Sequence, residues 1–150
     1  MEVVMKNRSC MIVILLVVAL TGGRAEDSVL PAGANKTFIE DNLLIGLSSD
    51  NRGLQRSSAL MLGYIKSERA VILLMSALKE CDDSGLKIAA AWALCNIGDP
   101  RGTYAVKREV EFNECCKTRL VCAWYYENMV RPGTFVFKGS GENMIAEIVP

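Results

Sequence analysis

The sequence predicts an all-α protein, an α-α superhelix built as a short solenoid of about three helix pairs. Three observations carry this prediction. Setting Leu54, Leu86 and Thr118 in register aligns LQRSSALMLGYIKSER, LKIAAAWALCNIGDPR and TRLVCAWYYENMVRPG at a fixed offset of 32 residues. Ala59, Ala91 and Ala123 then coincide, as do Trp92 with Trp124, Asn96 with Asn128, and Pro100 with Pro132. A period in this range marks stacked units, each too small to bury its apolar face without a neighbour. Within the copies, apolar residues recur at helical spacing. Between the helices lie turns rich in Asp, Gly, Ser and Pro: SSDNRG, CDDSG and GDPRG.

The chain opens on residues that do not belong to the repeat. Lys6 and Arg8 form a basic start, residues 10–20 are an uninterrupted apolar run, and Thr21 to Ala25 supplies small residues for cleavage. Residues 1–25 therefore read as a secretory signal peptide. The rival reading, a membrane anchor, needs roughly 20 apolar residues, and this run is about half that. The expectation is an exported chain, secreted or periplasmic, with no stable membrane anchor after cleavage. Residues 26–36 form a linker, residues 37–132 the repeats, and residues 133–150 a tail.

In each copy the second helix carries the clearer pattern. Leu86, Ala90, Ala93, Leu94 and Ile97 form the core stripe of the middle copy; Leu54, Ser58, Met61, Leu62 and Ile65 are the equivalents before it, and Thr118, Cys122, Tyr125, Tyr126 and Met129 those after it. Small residues at Ser58, Ala90 and Cys122 let adjacent helices approach. First helices are expected at about residues 36–47, 69–80 and 103–113. The middle one, AVILLMSALKE, is apolar on nearly every side, as for a helix flanked by neighbours on both sides. Pro100 and Pro132 fit just past helix ends, where no continuing hydrogen bond is lost.

The stretch ALKECDDSGLKIAAAWALCNIGDPRG resembles the HEAT-like repeat of the phycobilisome-lyase type. The elements of that likeness are the acidic turn Asp82-Asp83, the pair Leu86-Lys87, the Ala-rich helix from Ala89 to Leu94, and the closing Ile97 to Arg101. The first copy matches loosely, and the third in helix spacing, Arg119 and Pro132. The resemblance implies an α-α superhelix used mainly as a binding scaffold, with the second helices lining the concave side. It also implies a minority activity, attachment of bilin pigments, which acts in the cytosol and so fits an exported chain poorly. In that family the position held here by Leu60, Trp92 and Trp124 is usually polar.

Helical geometry gives the departure a meaning. At 100° per residue, position 92 lies roughly 140° from the centre of the core stripe and points outward. Ile88 and Leu120 lie one turn earlier on the same face. Leu60, Ile88, Trp92, Leu120 and Trp124 are thus expected to form an apolar, partner-binding strip; the alternative is that local register differs and both tryptophans are core.

Composition narrows the chemistry. Without Glu2, Lys6, Arg8 and Arg24, the 17 basic and 17 acidic residues become 14 and 16, so no basic field for nucleic acid is expected. The chain contains 0 histidines, which removes Ser-His-Asp and Cys-His nucleophile activation and histidine-ligated zinc as usually built. Beyond residue 25 there are Cys81, Cys95, Cys115, Cys116 and Cys122. Cys122 falls on the small core row and Cys95 on the outer face. Cys81 and the pair Cys115-Cys116 occupy equivalent turns of neighbouring repeats, which makes Cys81 to Cys115 or Cys116 a candidate disulfide in an oxidising compartment. A four-thiolate zinc site is the outside alternative, disfavoured by the lack of a C-x-x-C spacing. The acidic turn lacks a calcium loop's ligand pattern, and the resemblance implies that its Asp caps the next helix, which is the role taken here.

The expected function is a non-enzymatic, exported protein-interaction scaffold that holds a protein segment or apolar ligand on its concave face, without cofactor or metal. The alternative is a cysteine-dependent lyase or redox protein of the bilin-lyase type, using Cys95 or Cys115. The tail, with Phe135 and Phe137 alternating around Val136 and then Met144, Ile145, Ile148 and Val149, is too apolar for a solvated linker. It is expected to cap the last helix pair, with groove occupation or pairing with another chain as alternatives.

Overall fold

The computed structural model describes residues 35–80, 82–139 and 144–149. The expected leader, all but the last two residues of the linker, and Cys81 lie outside these. Six helices follow in order: α1 Lys36–Leu47, α2 Arg52–Tyr64, α3 Val71–Glu80 (entered through a 3-10 turn, Glu68–Ala70), α4 Ser84–Ile97, α5 Pro100–Phe112 and α6 Cys116–Met129. Strands β1 Phe135–Lys138 and β2 Ile145–Ile148 close the described chain. The helices pack as the pairs α1–α2, α3–α4 and α5–α6, and the second helices stack in the order α2, α4, α6. This is the expected all-α solenoid of three pairs. None of the described helices is long and apolar enough to cross a membrane.

The repeat has local causes. Asn35, Asn51, Asp83 and Asp99 each precede a helix, and their side-chain oxygens accept from the backbone N–H of Phe38, of Gly53 and Leu54, of Gly85, and of Arg101. Those amides have no partner inside the helix, so the caps fix where each helix begins. Gly98, at φ +80°, ends α4 in the left-handed region. Asp99 then caps α5, whose first residue is Pro100, where a missing N–H loses nothing. The Ile-Gly-Asp-Pro-Arg signature is thus a helix stop fused to a helix start. The basic residue one position after the register residues Leu86 and Thr118 has a role as well. Lys87 Nζ reaches the Lys79 carbonyl at 3.4 Å and Arg119 Nε the Val110 carbonyl at 3.0 Å, each satisfying a last-turn carbonyl of the preceding helix.

The most extensive contact is α2 against α4, and small residues set its closeness. A Cβ added at Gly63 would lie 2.7 Å from Ala93 Cα, so the two helices touch almost backbone to backbone. Asn96 Nδ2 donates across this contact to the Gly63 carbonyl at 2.9 Å. Its register mate Asn128 donates instead to Trp124 of its own helix. Arg56 forks onto the Asp83 carboxylate, tying α2 to the cap of α4. Arg69 reaches Glu40 and Asp41 of α1. Its mate Arg101 finds no acid at the equivalent positions, Ile72 and Leu73, and pairs with Asp99. Leu62, Leu74, Leu78, Leu94, Val106 and Val110 fill the centre.

Two expectations about burial are corrected. Leu54 and Met61 occupy core-stripe positions but are 48% and 37% exposed, because no described helix pair lies in front of the first one. Helix α3 is not enclosed on both flanks: Val71, Leu74 and Leu78 are buried while Ile72 and Leu73 face solvent.

The tail forms an antiparallel hairpin, Phe135 opposite Ile148 and Lys138 opposite Ile145. It lies against α6, with Phe135 buried and set edge-on to Tyr126 at 5.6 Å. The Glu127 carboxylate accepts from the backbone N–H of Gly133, and from those of Thr134 and Phe135 at 2.9 Å each. One side chain of α6 therefore clamps the entry to β1.

Candidate binding groove

The five residues of the expected strip sit at repeat-equivalent places on α2, α4 and α6, which pack side by side. Their surroundings differ. Leu60 is 38% and Trp124 55% exposed, whereas Ile88, Trp92 and Leu120 are half-buried. Trp92 is less outward than helical geometry alone suggests. The close α2–α4 approach at Gly63 draws α2 over it, and the Tyr64 ring lies 4.7 Å away at 56°.

Toward the C-terminal end the strip becomes a groove. Leu120, Val121, Trp124 and Tyr125 of α6 form one side of a space of about 380 Å³, and Phe137 and Met144 of the tail form the other. The lining is almost wholly apolar. Trp124 stands at its edge, its ring meeting Tyr125 edge-on at 5.6 Å. Full burial of an aromatic side chain removes about 150–250 Å² from water. Covering the half of Trp124 that is open therefore offers a ligand about 2–3 kcal/mol at 25 cal/mol per Å².

Sequence reasoning found Leu120 and Trp124 but missed the tail as the opposing wall, and it missed Tyr64 as the cover of Trp92. Tyr64 was within reach, lying one turn beyond Leu60 on the same helix face. The place of Phe137 and Met144 depends on the antiparallel pairing of β1 with β2, which no periodicity announces.

The thiols separate into two kinds. Cys95, expected on the outer face, is buried instead, and burial pushes its pKa up to about 12. It is a packing residue, because the close approach of neighbouring helices covers its side of α4. Cys122 is buried on the expected row and also pushed up to about 12, by burial and then by Glu109 and Cys95. Cys115 is exposed at the N-cap of α6, where Thr118, through its hydroxyl and then its amide, lowers its pKa below the usual thiol value. Cys116 is exposed and its thiol donates to the Met144 carbonyl at 3.7 Å, tying α6 to the lip of the groove. The candidate disulfide is not seen: Cys115 and Cys116 are free thiols, and Cys81 lies outside the described residues. Among the described residues no group of three or more Cys, Asp or Glu is placed to hold a metal ion.

Comparison of the chain with curated proteins finds no match. Residues 40–108, from α1 into α5, match the family described as HEAT repeats, and the stacked helix pairs form a HEAT-like all-α solenoid.

Proposed function

We propose that this protein is a non-enzymatic, exported interaction scaffold that holds an apolar segment of a protein partner along the second-helix face, with Trp124 as anchor. The observation that carries the reading is the half-open Trp124 ring at the edge of an apolar groove formed by α6 and the tail. Aromatic side chains next to desolvated pockets are where binding energy concentrates. HEAT repeats as interaction scaffolds point the same way. Export rests on the leader-like residues 1–25, and its chemical consequence would be a Cys81 to Cys115 or Cys116 disulfide formed in the oxidising compartment. Capture from the exported fraction with immobilised wild-type protein and with Trp124→Ala tests the reading. A band retained by the wild type and lost with Trp124→Ala supports it, and equal retention by both overturns it.

The second reading, a cysteine-dependent lyase or redox protein, is favoured by one observation, the exposed Cys115 thiol with its lowered pKa. Burial of Cys95 removes the other candidate. Alkylation of Cys115 at neutral pH no faster than that of a small free thiol would dispose of this reading.

A further inference from the structure

We propose that the protein self-associates head to head through the outer face of α2, forming a two-fold dimer centred on Leu54, Ser57 and Met61. The repeat register shows what this face is shaped to meet. On α4 the equivalent residues are Leu86, Ala89 and Ala93. All three are buried, and α2 is the helix packed most extensively on α4. On α2 the same face is open: Leu54 and Met61 are among the exposed large apolar residues, and Ser57 is exposed between them. A surface that is covered in the second repeat by a helix of this chain is thus presented uncovered by the first.

The two ends of the solenoid differ, and that fixes the geometry. At the far end the hairpin lies against α6 with Phe135 and Ala146 buried, so among the described residues the last helix pair is covered there by strands. A head-to-tail contact would have to seat α2 on that hairpin, which does not repeat the helix surface that covers Leu86, Ala89 and Ala93 in the second repeat. The contact closes on itself as an isologous dimer. With α2 antiparallel to its copy, Leu54 meets Met61 of the second copy and Ser57 lies near the axis. The Ser57 hydroxyl already donates to the Gly53 carbonyl of its own helix, so it enters the interface without an orphaned donor. The same two-fold sets Asp50, just before α2, beside Lys66 of the second copy, just after its α2. Both are exposed and neither forms an ion pair among the described residues. Opposite charges then flank the apolar centre on both sides, which selects this orientation over the parallel one.

Sedimentation equilibrium of the full chain across a concentration series tests the proposal. The wild type is expected to dimerise. Leu54→Glu is expected to raise the dissociation constant more than about tenfold, with helical circular dichroism retained. Asp50→Lys is expected to weaken the dimer by about fivefold, and Asp50→Lys with Lys66→Asp to restore it. Val136→Glu, on the exposed face of the hairpin, is expected to change nothing. If Leu54→Glu unfolds the chain, the charge-swap pair decides. The proposal is overturned by a monomer at every concentration, by a dimer indifferent to Leu54→Glu, by a double swap that fails to restore association, or by cross-links placing residues 1–34 over Leu54.

Discussion

Replacing Gly63 with Ala tests the close packing of α2 on α4 with a single methyl group. The new Cβ would lie 2.7 Å from Ala93 Cα, 2.8 Å from Trp92 Cζ3 and 2.9 Å from Ala93 Cβ. The indole can rotate away, but a backbone Cα cannot, so the helices must separate. Overpacking of this kind costs about 1–3 kcal/mol, and a contact with backbone belongs in the upper half of that range. Ala gains about 1 kcal/mol over Gly in a helix interior, leaving a net loss of about 1–2 kcal/mol. Separation also stretches the Asn96 to Gly63 hydrogen bond, now 2.9 Å, and loosens Tyr64 over Trp92. Thermal unfolding followed by circular dichroism should give a Tm lower by about 3–8 °C, with red-shifted tryptophan emission. A Gly63→Ala protein as stable as the wild type, or more so, would refute the close-packing argument.

Further outcomes follow from the same structure. Leu94 is fully buried and packs on Gly102, so Leu94→Ala should lower stability by about 2–5 kcal/mol in denaturant titration. Glu127, Asp83 and Asp99 all lie below the ordinary carboxylate range, held down chiefly by the Phe135 amide, Arg56 and Arg101 respectively, with Asp99 at about 2. Their stabilisation is complete above an unfolded-state value near pH 4 and is lost as pH falls through the folded values. Tm should therefore decline from about pH 4 downward, and Glu127→Gln should speed hydrogen exchange at Phe135 in the hairpin while leaving the core helices protected. The proposed export adds an outcome of its own: non-reducing peptide mapping of exported protein should find Cys81 joined to Cys115 or Cys116, thiols that are free in the structure, with reduction lowering stability by about 2–4 kcal/mol; five free thiols would contradict the bridge.

The sequence made the helical stack legible because its period, its caps and its apolar stripes agree. The acidic turn holding Asp83 could be read as a helix cap through its family likeness, and Leu86, Ala90, Ala93 and Leu94 as core from spacing, whereas the same role of Asp99 emerged only in the structure. What spacing could not supply was position within the stack. Leu54 and Leu86 look alike in one dimension, yet one stands half exposed on the first described helix pair and the other is buried beneath a neighbouring helix. Cys95 was misplaced for a related reason: its angle on an isolated helix is outward, but neighbouring helices cover it. The groove was half legible. Trp124 and Leu120 follow from helical periodicity, whereas Phe137 and Met144 arrive through a hairpin whose pairing is not local, and Glu127 as its clamp has no signature in sequence.

The central claim is that the second-helix face binds through Trp124 and not through Trp92. Iodide quenching of the two single-tryptophan proteins, Trp92→Phe and Trp124→Phe, tests it directly, with and without the captured partner. Trp124, read in the Trp92→Phe protein, should be strongly quenched alone and protected once the partner is bound; Trp92, read in the Trp124→Phe protein, should be weakly quenched in both. Equal quenching of the two tryptophans, or protection that appears at Trp92 and not at Trp124, would contradict the claim.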